Sequence, residues 1–209
     1  MRLGAQTNGK SCWPAHESAC RHEPVAAVGE SAATAEGLIP IRRRVEGTQG
    51  MSLIIRRAEL KDAGAILDLI RRLAVYERLA HEVTASEADL VATLFGPDPK
   101  VFCEIAEWQG ETAGFALWFY NYSTFLGRHG LYLEDLFVRE EFRSHGIGKS
   151  LLATLAKRCI EEKLGRLEWS VLDWNEPAIT FYERQGASLR REWLGCRLTG
   201  EALRALATQ

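Results

Sequence analysis

The sequence predicts an α/β fold, α+β in layout: a mixed, mostly antiparallel central sheet with helices on its faces. Three observations carry this expectation. Strand-length runs at about 101–107, 112–122 and 131–138 follow one another with no helix between them, which implies antiparallel hairpins. A helical pattern over about 147–163 lies between the last of these and a strand at about 166–172, which implies a right-handed parallel crossover. Two helical patterns come before the strands, and another follows them.

Each element has its own signal. Leu53-Ile54-Ile55 is a short β-branched run, read as the first strand. Residues 62–79 place Ile66, Leu69, Ile70, Leu73 and Ala74 at helix spacing, with Asp62 expected to cap the start. Thr84 and Glu87 have the separation of a capping box and open a second helix that runs to about Phe95. Gly96-Pro97-Asp98-Pro99 ends it. Gln109-Gly110 supplies the turn between the next two strands. In the 147–163 helix, Cys159 is spaced with Leu151, Leu152, Leu155 and Ala156, so it reads as core packing. A helix over 176–185 stops at Gly186, and a strand-like stretch over 187–198 and a short helix over 200–207 complete the order.

The 209 residues divide by composition. Residues 1–50 hold one aromatic side chain, Trp13, against eighteen in 51–209. That first segment, rich in Ala, Gly, Ser and Thr, has too little apolar surface to offset the entropy of ordering it. It is expected to be a disordered or non-native extension, with Met51 as a second start and 51–209 as the folded domain. No continuous apolar stretch marks a secretory signal, and Glu17, Glu23, Glu30, Glu36 and Glu46 argue against a mitochondrial transit peptide. Arg42-Arg43-Arg44 reads as a solvated linker.

Charge and cysteine usage exclude several function classes. The formal net charge is −2, which gives no electrostatic reason to expect a nucleic-acid or membrane partner. It divides into +1 for residues 1–50 and −3 for the remainder, a mild acidity that suits a cationic substrate. No run is long enough to span a membrane. The five cysteines, at 12, 20, 103, 159 and 196, have no metal-ligand spacing; a reduced, cytoplasmic protein without a metal is expected.

Three segments could carry chemistry. A strand, Leu131 to Val138, leads through Arg143-Ser144-His145-Gly146-Ile147-Gly148-Lys149 into a helix. Such a loop presents backbone N–H groups and the positive end of the helix dipole, which would suit a pyrophosphate; an ordinary glycine-containing turn is the alternative. Gly148-Lys149-Ser150 also resembles the end of a P-loop, but Arg143 stands where that motif needs its first glycine. Glu134 and Asp135 interrupt the apolar strand, and alternation sends them to opposite faces. Either could pair with an arginine, or accept a substrate proton if partly buried. In the third segment Asn175 caps a helix and Pro177 fits its first turn, while Tyr182 is either a packed aromatic or a proton donor.

Together these segments resemble the GNAT superfamily of acyl-CoA-dependent N-acetyltransferases. Arg143-x-x-Gly146-x-Gly148 is similar to its pyrophosphate signature, and the expected strand order is similar to its fold. Tyr132-Leu133-Glu134-Asp135, Trp174-Asn175-Glu176-Pro177, Phe181-Tyr182 with the following Arg-x-Gly-Ala187, and Tyr76-Glu77 resemble its diamine branch, which takes spermidine, spermine or thialysine. The resemblance covers about residues 53–207. It implies acetyl-CoA as acyl donor, a small-molecule primary amine as acceptor, direct attack in a ternary complex, and a homodimer. Leu136, Phe137 and Val138 would hold the pantetheine arm, and Arg143, Ser144, His145, Gly146, Ile147, Gly148 and Lys149 the pyrophosphate. Asn175, Pro177 and Ala178 would line the other side. Glu134 would be the general base and would also bind the amine with Tyr76 and Glu77; Tyr182 would protonate the departing thiolate. Ser144 stands where the family often has glycine, which is acceptable if its φ is negative. Ser123 stands where polyamine-specific members carry an acid, which implies a thialysine-type or amino-acid-like acceptor. A non-catalytic acetyl-CoA-binding module is the alternative.

Overall fold

The central strands pair as the hairpin reading expects. In the computed structural model, which describes residues 43–46 and 52–208, β3 (Phe102–Trp108), β4 (Glu111–Ser123) and β5 (Arg128–Val138) form an antiparallel meander. Gln109 and Gly110 turn the first hairpin with φ of 54° and 87°, the left-handed pair of a tight two-residue loop. β2 (Ser52–Arg57) joins the outer edge of β3, and β1 (Arg43–Glu46) pairs antiparallel with β2. β1 lies in the segment that composition reads as an extension, and a four-residue edge strand leaves little hydrophobic pattern to find. The rest of that segment, residues 1–42 and 47–50, lies outside the described residues. β6 (Leu167–Trp169) is parallel to β5 and closes the order β1 to β6.

Alternation on β4 sorts the core into two layers. Phe115 and Leu117 face α1 (Ala63–Tyr76) and α2 (Glu87–Phe95), where Ile66, Leu69, Leu73, Leu90 and Leu94 are buried. Ala116 and Trp118 face α3 (Ile147–Glu161), packed through Ile147, Leu151, Leu155 and Cys159. Both amphipathic helices thus bury one face on opposite sides of one sheet.

Two expected caps are replaced. Asp62 does not cap α1; its carboxylate takes two hydrogen bonds from Arg56, at 2.7 and 2.9 Å, and one from the Glu59 N–H at 2.7 Å. Arg56 also reaches Glu107 on β3, so this cluster fixes the entry of α1 on the sheet. The second helix starts at Ser86, whose Oγ accepts from the Asp89 N–H at 3.2 Å while the Asp89 carboxylate accepts from the Ser86 N–H at 2.9 Å. Ser86 takes the extended conformation a cap requires, so the box is Ser86/Asp89 rather than Thr84/Glu87.

The strand expected over 187–198 does not form. After α4 (Glu176–Arg184), the chain runs irregularly to α5 (Gly200–Ala207). Among the described residues no strand pairs with the outer edge of β6, and a lone strand leaves its backbone unpaired. Trp193 and Leu194 supply the apolar signal of that stretch, and both are exposed.

Two irregularities position the site. The β4–β5 register slips between Leu117 and Trp118: Leu117 faces Asp135 and Trp118 faces Leu133, so Glu134 is the extra, unopposed residue of a bulge. On the other edge β5 pairs with β6 only over Leu131–Leu133. Beyond Leu133 the two strands part.

Candidate active site

The parted strands open onto a cavity of about 870 Å³, within the usual range for a small-molecule site. Its walls are the free end of β5, the loop into α3, the start of α4 and the end of α1. Every residue the sequence nominated lines it except His145. The His145 ring lies 4.8 Å from that of Trp108, and its Nδ1 is 3.3 Å from the Phe142 carbonyl oxygen, which turns the side chain away from the cavity.

The anion-receiving end is backbone. Gly146 precedes α3 with φ of 74°, and the first helical bond is from Ser150 N–H to Gly146 O. Helix geometry leaves the N–H groups of Ile147, Gly148 and Lys149 at the mouth, and the first turn carries no acid. A pyrophosphate fits this chemistry. Arg143 is held across the entrance: its Nε donates to Val138 O at 3.2 Å, and its guanidinium lies 5.2 Å from the centre of the Tyr76 ring. Ser144 has φ of 68°, not the negative value its tolerance would need. An L-residue pays about 1 kcal/mol for that geometry. Ser144→Gly is therefore expected to stabilise the fold by about 0.5–1 kcal/mol in urea unfolding, since glycine removes the strain but loses more chain entropy.

On the facing wall, Asn175 is buried, and its Oδ1 accepts from the Ala178 N–H at 3.3 Å and from the Tyr76 hydroxyl at 3.0 Å. Tyr76 therefore ties the end of α1 to the start of α4, a tether that its spacing did not reveal.

The carboxylates lie at the centre. Glu134 is exposed at the bulge, and Asp135 beside it is largely enclosed. Burial, then repulsion from Glu134 and Glu77, pushes the Asp135 carboxyl up to about 7. Burial alone raises Glu77. No cation offsets these effects at either residue among the described ones. The lining carries Arg143, Lys149 and Arg184 as well as acids, but none of these offsets Glu77 or Asp135, and the group of Glu77, Glu134 and Asp135 attracts a cation. The desolvated member is thus Asp135, which sequence alternation could not select because the bulge resets the faces.

Tyr182, 9% exposed, packs its ring 5.0 Å from Trp169 and lines the same cavity. Burial, then the nearby Glu77, pushes its phenol up to about 12, so the hydroxyl keeps its proton at any ordinary pH. Ser123 is buried in the β4–β5 turn, where its Oγ accepts from the Leu126 N–H at 3.3 Å; it does not line the cavity. Thr180 and Arg184 on α4 also line the cavity, and sequence reading gave neither a role, although Arg184 stands in the quoted Arg-x-Gly-Ala187 motif.

Residues 63–187 match the acetyltransferase (GNAT) family. The chain is 37% identical over 197 residues to an L-ornithine N5-acetyltransferase of Arabidopsis thaliana, across 73% of this chain and 86% of the relative. It is 38% identical over 167 residues to a thialysine N-epsilon-acetyltransferase of Sus scrofa, across 75% of this chain and 98% of the relative. An integron cassette protein from the mobile metagenome of V. cholerae superposes with a TM-score of 0.65 at 30% identity, over 77% of this chain and all of that one, 100%.

Proposed function

The chain belongs to the acetyltransferase (GNAT) family, and from that premise we propose that it moves an acetyl group from acetyl-CoA to a primary amine of a small diamine or amino-acid-like molecule. The observation that carries this reading is the pairing of two sites in one cavity: an N–H-rich helix mouth for the donor's pyrophosphate, and an acidic centre for the acceptor's ammonium. The names of the ornithine and thialysine relatives support the same acceptor class. The branch resemblance adds a homodimer to the proposal, and the spacing of the cysteines adds a cytoplasmic setting.

Acetyl-CoA supplies the thioester; the residues of this chain bind, orient and move protons. The backbone of Leu136, Phe137 and Val138 on the parted edge of β5 aligns the donor and places an N–H near its carbonyl. The α3 mouth, with Arg143 and Lys149, anchors the far end, and Asn175, Pro177 and Ala178 close the other wall. Glu77, Glu134 and Asp135 draw in the ammonium, whose ordinary pKa of about 10.4 means it must lose a proton before it attacks. Glu134, at the solvent-facing bulge, accepts that proton through water and can pass it out. Asp135 is a second candidate base, because its raised pKa makes it half-ionised near neutral pH. Tyr182 holds a proton for the departing thiolate. No cysteine is needed, and within the cavity proximity supplies much of the rate.

The test is an amine panel with acetyl-CoA, read by thiol release: spermidine, putrescine, thialysine, lysine, ornithine and small amino acids. Release with at least one terminal-amine acceptor is expected. Binding of CoA with no release for any amine would support a non-catalytic module instead.

A further inference from the structure

α1 ends in a way that its sequence does not favour. Arg78 has φ of 63°, the left-handed position that glycine usually takes after a helix. Leu79 N–H bonds back to Ala74 O at 2.8 Å and Arg78 N–H to Val75 O at 3.1 Å, which completes that helix stop. An arginine there costs about 1 kcal/mol relative to glycine. This turn sends two successive side chains different ways: Glu77 into the cavity, and Arg78 outside its lining, exposed.

Arg78 lies over Trp174, with its guanidinium carbon 5.3 Å from the ring centre. Trp174 in turn lies 6.2 Å from Tyr76, and both Tyr76 and Asn175, the neighbour of Trp174, line the cavity. Arg78 is exposed and forms no ion pair among the described residues, unlike Arg72, Arg139 and Arg143, each of which has an acidic partner. Nor does it offset Glu77, whose carboxyl is raised by burial alone. Stacking on an indole holds a guanidinium in one plane and leaves its N–H edge free for a carboxylate.

An acceptor in the cavity therefore meets acids at the centre and, next to the lining residues Tyr76 and Asn175, a cation held on Trp174. We propose that Arg78, held on Trp174, binds the α-carboxylate of the acceptor, so that the enzyme selects an α-amino acid with a terminal side-chain amine over the matching diamine. This rests on the acetyltransferase reading above. A simple polyamine would instead bring a second ammonium to Arg78, which repels it.

The decisive pairs are ornithine against putrescine and lysine against cadaverine, which differ only in the carboxylate. Arg78→Gly is the variant of choice because glycine suits the backbone, so loss of folding does not confuse the result; its melting temperature should match or exceed the parent. The expected result is a fall of about tenfold to a hundredfold in kcat/KM for ornithine and lysine, as for one lost charge-assisted contact. The values for putrescine and cadaverine should hold or rise. Arg78→Glu should shift the preference further toward the diamines. If the wild-type enzyme acetylates members of both pairs and Arg78→Gly lowers all equally, or none, the carboxylate assignment is overturned and the acetyltransferase reading stands. If the wild type releases thiol with no amine, both fall.

Discussion

Glu134→Gln is expected to lower kcat by about 10²- to 10³-fold while leaving the dissociation constant for acetyl-CoA within twofold. Glutamine keeps the shape of the bulge residue and removes only the ability to accept a proton. The wall proposed for the donor, at the α3 mouth and the backbone of Leu136 to Val138, is untouched. Steady-state kinetics with calorimetric titration of CoA measures the two quantities separately. Equal losses in both would count against a base at this position. The pH profile divides the work between the two neighbouring carboxylates. If Asp135 accepts the proton, kcat/KM rises through pH 7 and Asp135→Asn abolishes that limb. If Glu134 accepts it, Asp135→Asn keeps a rising limb and mainly raises the KM for the amine.

Asp135→Asn should also stabilise the protein, by about 2–3 kcal/mol at pH 8, with little or no gain at pH 4. The sign follows from proton linkage. An unfolded Asp titrates near 3.9, whereas the folded carboxyl titrates at about 7. Between these values the folded state holds more protons than the unfolded one, so stability is full below the lower value and falls as pH rises through the upper. A shift of about three units corresponds to about 4 kcal/mol. The asparagine amide is itself a polar group to bury, which reduces the gain. Urea unfolding of both proteins at pH 4 and pH 8 measures it. A variant less stable than the parent at pH 8 would show that Asp135 is held ionised by a favourable contact. The larger point is that the site keeps an acid where it costs stability, as expected for a group retained to meet a cation.

Much of the layout was legible because it depends on local patterning. The antiparallel meander follows from three adjacent runs with turn residues between them, and both faces of the sheet follow from alternation on β4. The wall proposed to bind the donor was legible as backbone geometry, because Gly146, Gly148, Asn175 and Pro177 are residues whose backbone roles are written in their types. What was hidden depends on register and long-range pairing. The bulge at Glu134 decides which carboxylate is desolvated, and no spacing rule reveals a one-residue slip against β4. Asp62 was read as a cap, but Arg56, from a different element, claims its carboxylate. The strand expected over 187–198 has suitable residues but no partner edge among the described ones. Tyr76 lines the cavity, but the bond from its hydroxyl to Asn175, ninety-nine positions away, is a long-range pairing that no spacing reveals.

The measurement that bears most directly on the central claim is the initial-rate pattern for thiol release, with acetyl-CoA and the best amine of the panel varied together. Direct transfer inside one cavity predicts double-reciprocal lines that intersect, no thiol release without amine, and no acetylated protein by intact mass. Parallel lines, or an acetyl-enzyme formed before the amine is added, would contradict it.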